Sequence, residues 1–232
     1  MKPLFLILAI AAAVPCEAAR TFVRASNSFL QVSSATVTAY PITLSGWFKT
    51  NDLTVNQVIV ANATATNAIG VYLIFRGNTA GDPLSATDYD GSTSAQANSS
   101  GSVTSGTWFH GGAVYSGASS RAVYLNGAKN TNTTTVSTNL AGTDRTNTGA
   151  LIDTNSHWSG DLAEIAIWNV ALTDDEMISL AAGCSPLRIR PASLQFYMPL
   201  WPGFFDYRKG VSVSNLGSTT ATADHPRIYR SP

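Results

Sequence analysis

From Ala19 onward the chain is written in short runs with a period of two. Ile42, Leu44, Gly46 and Phe48 alternate with Thr43, Ser45, Trp47 and Lys49, the pattern of a half-buried strand. Val71, Leu73 and Phe75 alternate in the same way with Tyr72, Ile74 and Arg76. Runs of this kind predict strands over 20–24, 29–33, 42–49, 56–61, 69–76, 84–88, 107–116, 120–125, 131–137, 149–153, 161–168 and 193–200. Asn126-Gly127, between two such runs, is a two-residue hairpin signal. Segments 77–83, 89–106 and 138–148 are rich in Gly, Ser, Thr, Asn and Asp and predict loops; 89–106 suits a loop or a weak edge strand. Many short strands with one late helix predict an all-β fold, an antiparallel β-sandwich or jelly roll with one short helix near the C-terminal end.

The period changes inside Gly160–Met177. Leu162, Glu164, Ala166 and Trp168 alternate with Ala163, Ile165 and Ile167, which predicts a strand buried on most of both faces. Thr173 stands three residues before Glu176, the spacing of a capping box, and Leu172 and Met177 occupy the positions of a hydrophobic staple. Asp174 and Asp175 fall in the first turn, where the helix dipole favours negative charge. Gly183 supplies a left-handed stop. These jobs account for Glu164, Asp174, Asp175 and Glu176 as structural carboxylates.

Composition narrows the function. Only 12% of the 232 residues are charged, and 14 Lys+Arg balance 14 Asp+Glu. This leaves no electrostatic footprint for nucleic acid. The charge is uneven: residues 186–232 hold six basic and two acidic side chains, so this segment either docks on the acidic remainder or on a partner, or is a solvated tail. At the other end, Lys2 precedes an apolar run from Leu4 to Val14, and Cys16-Glu17-Ala18 places small residues at −3 and −1. This predicts a signal peptide over 1–18, cleaved between Ala18 and Ala19. The run is too short to span a bilayer, which needs about 20 residues, and Ala13-Val14-Pro15 is a poor lipoprotein box before Cys16. Without the leader, Cys184 is the only cysteine, read as a small buried apolar residue. The expected organisation is a sandwich over 19–203 and a C-terminal extension over 204–232 that packs on it, with one further strand at 218–222.

Ala181–Leu194 and Ala223–Ile228 are similar to uncharacterised bacterial and phage proteins of the concanavalin A-like lectin/glucanase superfamily, and several further stretches resemble its laminin-G-like jelly rolls. They are Arg20–Val32, Ile42–Phe48, Thr107–His110, Ala113–Tyr115 with Arg121–Gly127, and Gly160–Met177, together covering roughly 20–182. The resemblance implies the sandwich and makes Trp47, Trp108, Trp158 and Trp168 core positions before sugar platforms. The glucanases it includes carry Glu-x-Asp-x-x-Glu on one strand face. That triplet is absent here, and the nearest pair, Asp161 and Glu164, has an odd spacing that puts the two on opposite faces. A nucleophile elbow is absent, and His110, His157 and His225 lie far apart in sequence. The expectation is therefore a protein that is not an enzyme.

Calcium is the one metal these residues raise, because laminin-G and pentraxin relatives hold it in rim loops. Asp82, Asp88 and Asp90 lie close in sequence, and Asp153-Thr-Asn155 is a second oxygen-rich patch. Hard oxygen ligands suit Ca²⁺, and the same residues are ordinary turn formers. Asp88, Tyr89, Asp90 and Asn155 are the candidate glycan contacts, with Asp82, Asp88, Asp90 and Asp153 as candidate calcium ligands. Sequons stand at Asn62, Asn98 and Asn132. The reading is a secreted, non-catalytic, carbohydrate-binding or adhesive module whose partner is a glycan or a surface protein. The alternative is a structural or decoration protein of a virion or extracellular assembly; both leave room for an oligomer.

Overall fold

The computed structural model describes residues 19–66, 68–152, 156–201, 203–226 and 228–229. The expected leader with Ala18, and the candidate residues Asp153 and Asn155, lie outside the described residues.

Two antiparallel sheets face each other. The larger contains β1 (Ala19–Phe22), β3 (Ile42–Thr50), β8 (Phe109–Gly117), β9 (Ser120–Leu125), β10 (Ala128–Asn132), β12 (Gly160–Trp168) and β15 (Thr220–Thr222), in the order β10-β9-β8-β3-β12-β1-β15, with β13 (Leu194–Met198) also on β12. The smaller contains β2 (Phe29–Val32), β4 (Asn56–Ala63), β5 (Gly70–Arg76), β6 (Pro83–Tyr89), β7 (Ser94–Ser102), β11 (Arg145–Thr148) and β14 (Ser214–Leu216), in the order β14-β2-β11-β4-β5-β6-β7. The inward side chains, among them Phe22, Leu44, Phe48, Leu73, Phe75 and Trp158, make one core between the sheets. A second cluster, with Val114, Tyr124, Trp168, Met177 and Leu180, lies between the outer face of the larger sheet and helix α1 (Asp174–Ala181). The sandwich and, among the described residues, its single short α-helix are as the pattern predicts.

The helix is built as its sequence reads. Thr173 accepts from the Glu176 amide, and the Glu176 carboxylate accepts from the Thr173 amide at 2.8 Å. Met177 is fully buried, and a Cβ at Gly112 of β8 would lie 1.9 Å from its terminal carbon. Gly112 leaves the space that the end of the Met177 side chain fills.

Four expectations are settled, three of them by correction. First, of the two alternatives for 89–106 the edge strand holds: it contains the nine-residue β7 at the end of the smaller sheet, with Ala95 and Ala97 buried against β6 in a segment of poor intrinsic strand formers, so pairing overrides propensity. Second, β10 begins at Ala128 rather than 131, because Asn126 (φ 49°) and Gly127 (φ 83°) make a two-residue turn that sets Ala128 opposite Leu125. Third, the strand expected at 149–153 is β11 at Arg145–Thr148, inside the expected loop 138–148 and paired on both sides. Its polar Thr146 is accommodated by hydrogen bonds to Thr36 and Ser34. Fourth, strict alternation along β12 fails. Glu164 takes a left-handed φ of 55°, and the β12–β3 register shifts between Ala163 and Ala166, a bulge. Leu162, Ile165 and Ile167 point into the main core, while Ala166 and Trp168 point outward. As a result Asp161 and Glu164, expected on opposite faces, both lie on the outer side: Asp161 pairs with Lys49, the ammonium that also holds Asp224, and Glu164 pairs with His225.

The C-terminal segment is woven into both sheets. It contributes two short strands, β14 beside β2 and β15 beside β1, where one strand was expected. Ala19, the expected first residue after cleavage, is buried in β1 opposite Thr222. Cys184 is half-buried rather than buried, and has no disulfide. Among the described residues no helix is long and apolar enough to cross a membrane.

Candidate functional site

The loop joining β2 to β3 forms one wall of a groove at the edge of the sandwich. Its main depression, about 340 Å³, is lined by Thr36, Val37, Thr38, Ala39, Tyr40, Asn169 and Gln195. A narrower one of about 70 Å³ shares Thr36 and Gln195 and continues to Asp206 and Lys209. The larger volume lies within the ~300–1,000 Å³ typical of small-molecule sites.

Each wall is fixed by buried polar contacts. Asn62, fully buried on β4, accepts from the Thr36 amide at 3.0 Å and donates to the Val37 carbonyl at 2.9 Å and the Thr143 hydroxyl at 3.2 Å. Its burial removes it as a glycosylation acceptor in the folded chain. The Tyr40 hydroxyl donates to Asp88 Oδ2 at 2.6 Å, which orients the ring at the end of the groove. On the facing side, Thr43 Oγ1 donates to the Val170 carbonyl at 2.7 Å and accepts from the Leu172 amide at 3.1 Å, holding the corner that carries Asn169. Asp206 is buried and accepts from the amides of Tyr197, Arg208 and Lys209 at 2.9–3.0 Å, which sets the loop at the narrow end.

The groove presents amides and hydroxyls and little charge. Its one carboxylate, on Asp206, spends its oxygens on backbone amides, so the groove has no pair of free carboxylates to flank a glycosidic bond. Asn169 is exposed and Gln195 half-buried. The arrangement suits hydrogen bonding to a neutral polyhydroxylated ligand.

The residues singled out from sequence are dispersed. Asp88 is fully buried between the sheets, with Tyr40, Thr138 and, at 3.6 Å, Arg121 as partners. Burial pushes its carboxyl up, against the opposing hydrogen bonds of Thr138 and Tyr40 and the Arg121 charge. Burial, and then Asp88, raises the Tyr40 hydroxyl well above its ordinary range. Asp88 thus stands behind the groove and positions Tyr40. Asp90 is solvent-facing and accepts from the Ser92 and Thr93 amides within its own turn, which hold its carboxyl below the usual range. Tyr89 is half-buried, its hydroxyl on the Gly91 carbonyl. Asp82 sits in a turn with φ 45°. Among the described residues no three His, Cys, Asp or Glu side chains come together to hold a metal. Of the four tryptophans expected in the core, Trp158 and Trp168 are there, while Trp47 and Trp108 are only half-buried.

Sequence reading passed over Thr36–Tyr40, Asn169 and Gln195. The one available signal was Tyr40, the single aromatic residue in a loop made mostly of Ser, Thr and Ala. Asn169 and Gln195 reach the groove from the far side only through the pairing of β12 with β13.

Residues 24–177 match the laminin G family of the concanavalin A-like lectin/glucanases superfamily. No curated protein sequence matches the chain. Among solved structures, a heptameric SAP-like pentraxin from Limulus polyphemus is 16% identical with a TM-score of 0.64, covering 92% of this chain and 98% of that one. Domain 4 of a GH43 extracellular arabinanase from Geobacillus stearothermophilus, in complex with arabinotriose, is 18% identical with a TM-score of 0.58, covering 70% and 76%. Domains LG4-5 of the mouse laminin alpha1 chain are 16% identical with a TM-score of 0.54, covering 75% of this chain and 48% of that one. At these identities the likeness is one of fold.

Proposed function

The chain belongs to the concanavalin A-like lectin/glucanases superfamily, and from that premise we propose that it is a secreted, non-catalytic module that binds a neutral glycan in the edge groove. The observation that carries this reading is the groove itself, walled by Thr36, Thr38, Tyr40, Asn169 and Gln195. Hydroxyls and amides of this kind exchange hydrogen bonds with sugar hydroxyls, and a fixed aromatic ring offers a face to sugar C–H groups. The arabinotriose held by the arabinanase domain supports a saccharide as ligand for this fold. Binding in the groove needs no calcium, since its one carboxylate is occupied by amides.

A glycan array followed by calorimetry tests the reading. Dissociation constants from tens of micromolar to millimolar are expected, about 4–6 kcal/mol, unchanged by EDTA. Asn169→Ala and Gln195→Ala should each weaken binding about three- to tenfold, as for one hydrogen bond of ~0.5–1.5 kcal/mol. A blank array, or affinity indifferent to both substitutions, rejects the groove. Intact mass of exported protein checks the expected start at Ala19.

A second reading, a structural part of an assembly, is favoured by the exposed apolar side chains Ile178, Leu187 and Tyr229. A defined oligomer on gel filtration without ligand would support it.

A further inference from the structure

On the outer face of the larger sheet, a charged and aromatic cluster plays no part in the groove. Lys49 on β3 stands opposite Asp161 on β12, with ammonium and carboxylate 2.7 Å apart. Asp161 is buried and also accepts from Thr21 Oγ1 at 2.6 Å. This pair is neutral as it stands. The chain nevertheless returns after β15 and sets a second carboxylate, that of Asp224, on the same ammonium. Asp224 Oδ1 accepts from Trp108 Nε1 at 3.1 Å, and the Lys49 ammonium lies 5.5 Å from the Trp108 ring centroid. Trp47, two residues along the same face of β3, is half-buried, its ring edge-on to His110 at 5.4 Å. The next residue, His225, lies 3.5 Å from Glu164 Oε1.

One ammonium between two carboxylates leaves a surplus negative charge. The Asp224 side chain stays 55% exposed, and a pair so open to water adds little to stability. What its carboxylate occupies is more telling: a cation and the N–H of one indole meet on one spot, with the Trp47 ring two residues along the same face of β3. A cation with an N–H donor recognises a carboxylate through charge-assisted hydrogen bonds, and neighbouring indoles offer flat faces to a sugar ring.

We propose that Lys49, Trp108 and Trp47 form a second binding site, for a saccharide bearing a carboxylate, and that Asp224 occupies it as the chain's own stand-in for that carboxylate. The ligand displaces Asp224 and the segment 223–226 from Lys49 and Trp108. Its apparent affinity is lowered by the fraction of molecules in which Asp224 is seated. The site does not depend on the groove.

The test is calorimetry of the full chain with a galacturonic acid trimer, beside its methyl ester and a galactose trimer. Asp224→Asn should tighten binding of the acid about fivefold or more, and Lys49→Ala should abolish it. Trp108→Phe, which keeps a ring and removes the N–H, should weaken binding several-fold and covers the case where Lys49→Ala destabilises the sheet around Asp161. Asn169→Ala in the groove should leave it unchanged. Binding seen only in Asp224→Asn also supports the stand-in role. The proposal is overturned if no form binds the acid, if Asp224→Asn leaves affinity the same or weaker, or if the ester and the neutral trimer bind as well as the acid. A blank neutral-glycan array with retained binding of the acid rejects the groove and keeps this site.

Discussion

The helical corner at 168–183 and the edge groove are assembled in opposite ways. At the corner, Thr173 and Glu176 cap each other three residues apart, and Gly183 closes the helix with φ 92°. At the groove, Thr36 is held by Asn62, 26 residues away, and by Thr146, 110 away, while Tyr40 is held by Asp88, 48 away. Local chemistry fails in small independent steps, because each contact stands alone. A non-local network fails as a unit, because one buried side chain serves several segments.

The sharpest way to break this contrast is at Asp88. Asp88→Ala strands the Arg121 cation, whose guanidinium is fully buried, and should cost about 3–5 kcal/mol in urea unfolding. Asp90→Ala, two residues on and bonded only within its own turn, should cost far less. Equal costs at the two positions would mean that Asp88 is no anchor. Asn62→Ala should cost about 2–3 kcal/mol, since it leaves buried partners on Thr36, Val37 and Thr143 unpaired. It should also weaken groove binding, and intact affinity would separate the loop from the site.

Acid probes the same non-local packing. His110 is buried against Ser45 and Trp47, and burial lowers its pKa from 6.5 to about 3. The fold therefore holds the neutral ring, and the unfolded chain takes up a proton first. This contribution is whole above pH 6.5 and declines as pH falls toward about 3, by about 1.4 kcal/mol per pH unit. His110→Gln should flatten that slope in melts between pH 7 and 5 relative to wild type. The corner responds weakly: Thr173→Ala should cost about 1 kcal/mol and Glu176→Ala less, with groove affinity unchanged.

The legibility of each feature follows the same division. The capping box, the staple and the Asn126-Gly127 hairpin were readable because their partners are neighbours in sequence. The bulge at Glu164 was not, since a left-handed glutamate leaves no mark in an alternating pattern. It alone reversed the expectation for Asp161 and Glu164. Asp82, Asp88 and Asp90 looked like one site because proximity along a chain resembles proximity in space. Residue 88 points between the sheets and residue 90 belongs to the turn beyond the strand, so they part company.

By itself the sequence determined the all-β class, most strand positions, the helix with both its ends, and the absence of the glucanase triplet. All of these rest on periodicity and on contacts a few residues long. Only the tertiary structure decided that 94–102 and 145–148 are strands, that the C-terminal segment supplies an edge to each sheet, that Tyr40, Asn169 and Gln195 share a groove, and that Asp224 lies on Lys49 and Trp108. The physical reason is that weak strand formers and uncharged polar side chains carry almost no local preference. Their conformation and neighbours are set by whichever strands the folded sandwich brings alongside them.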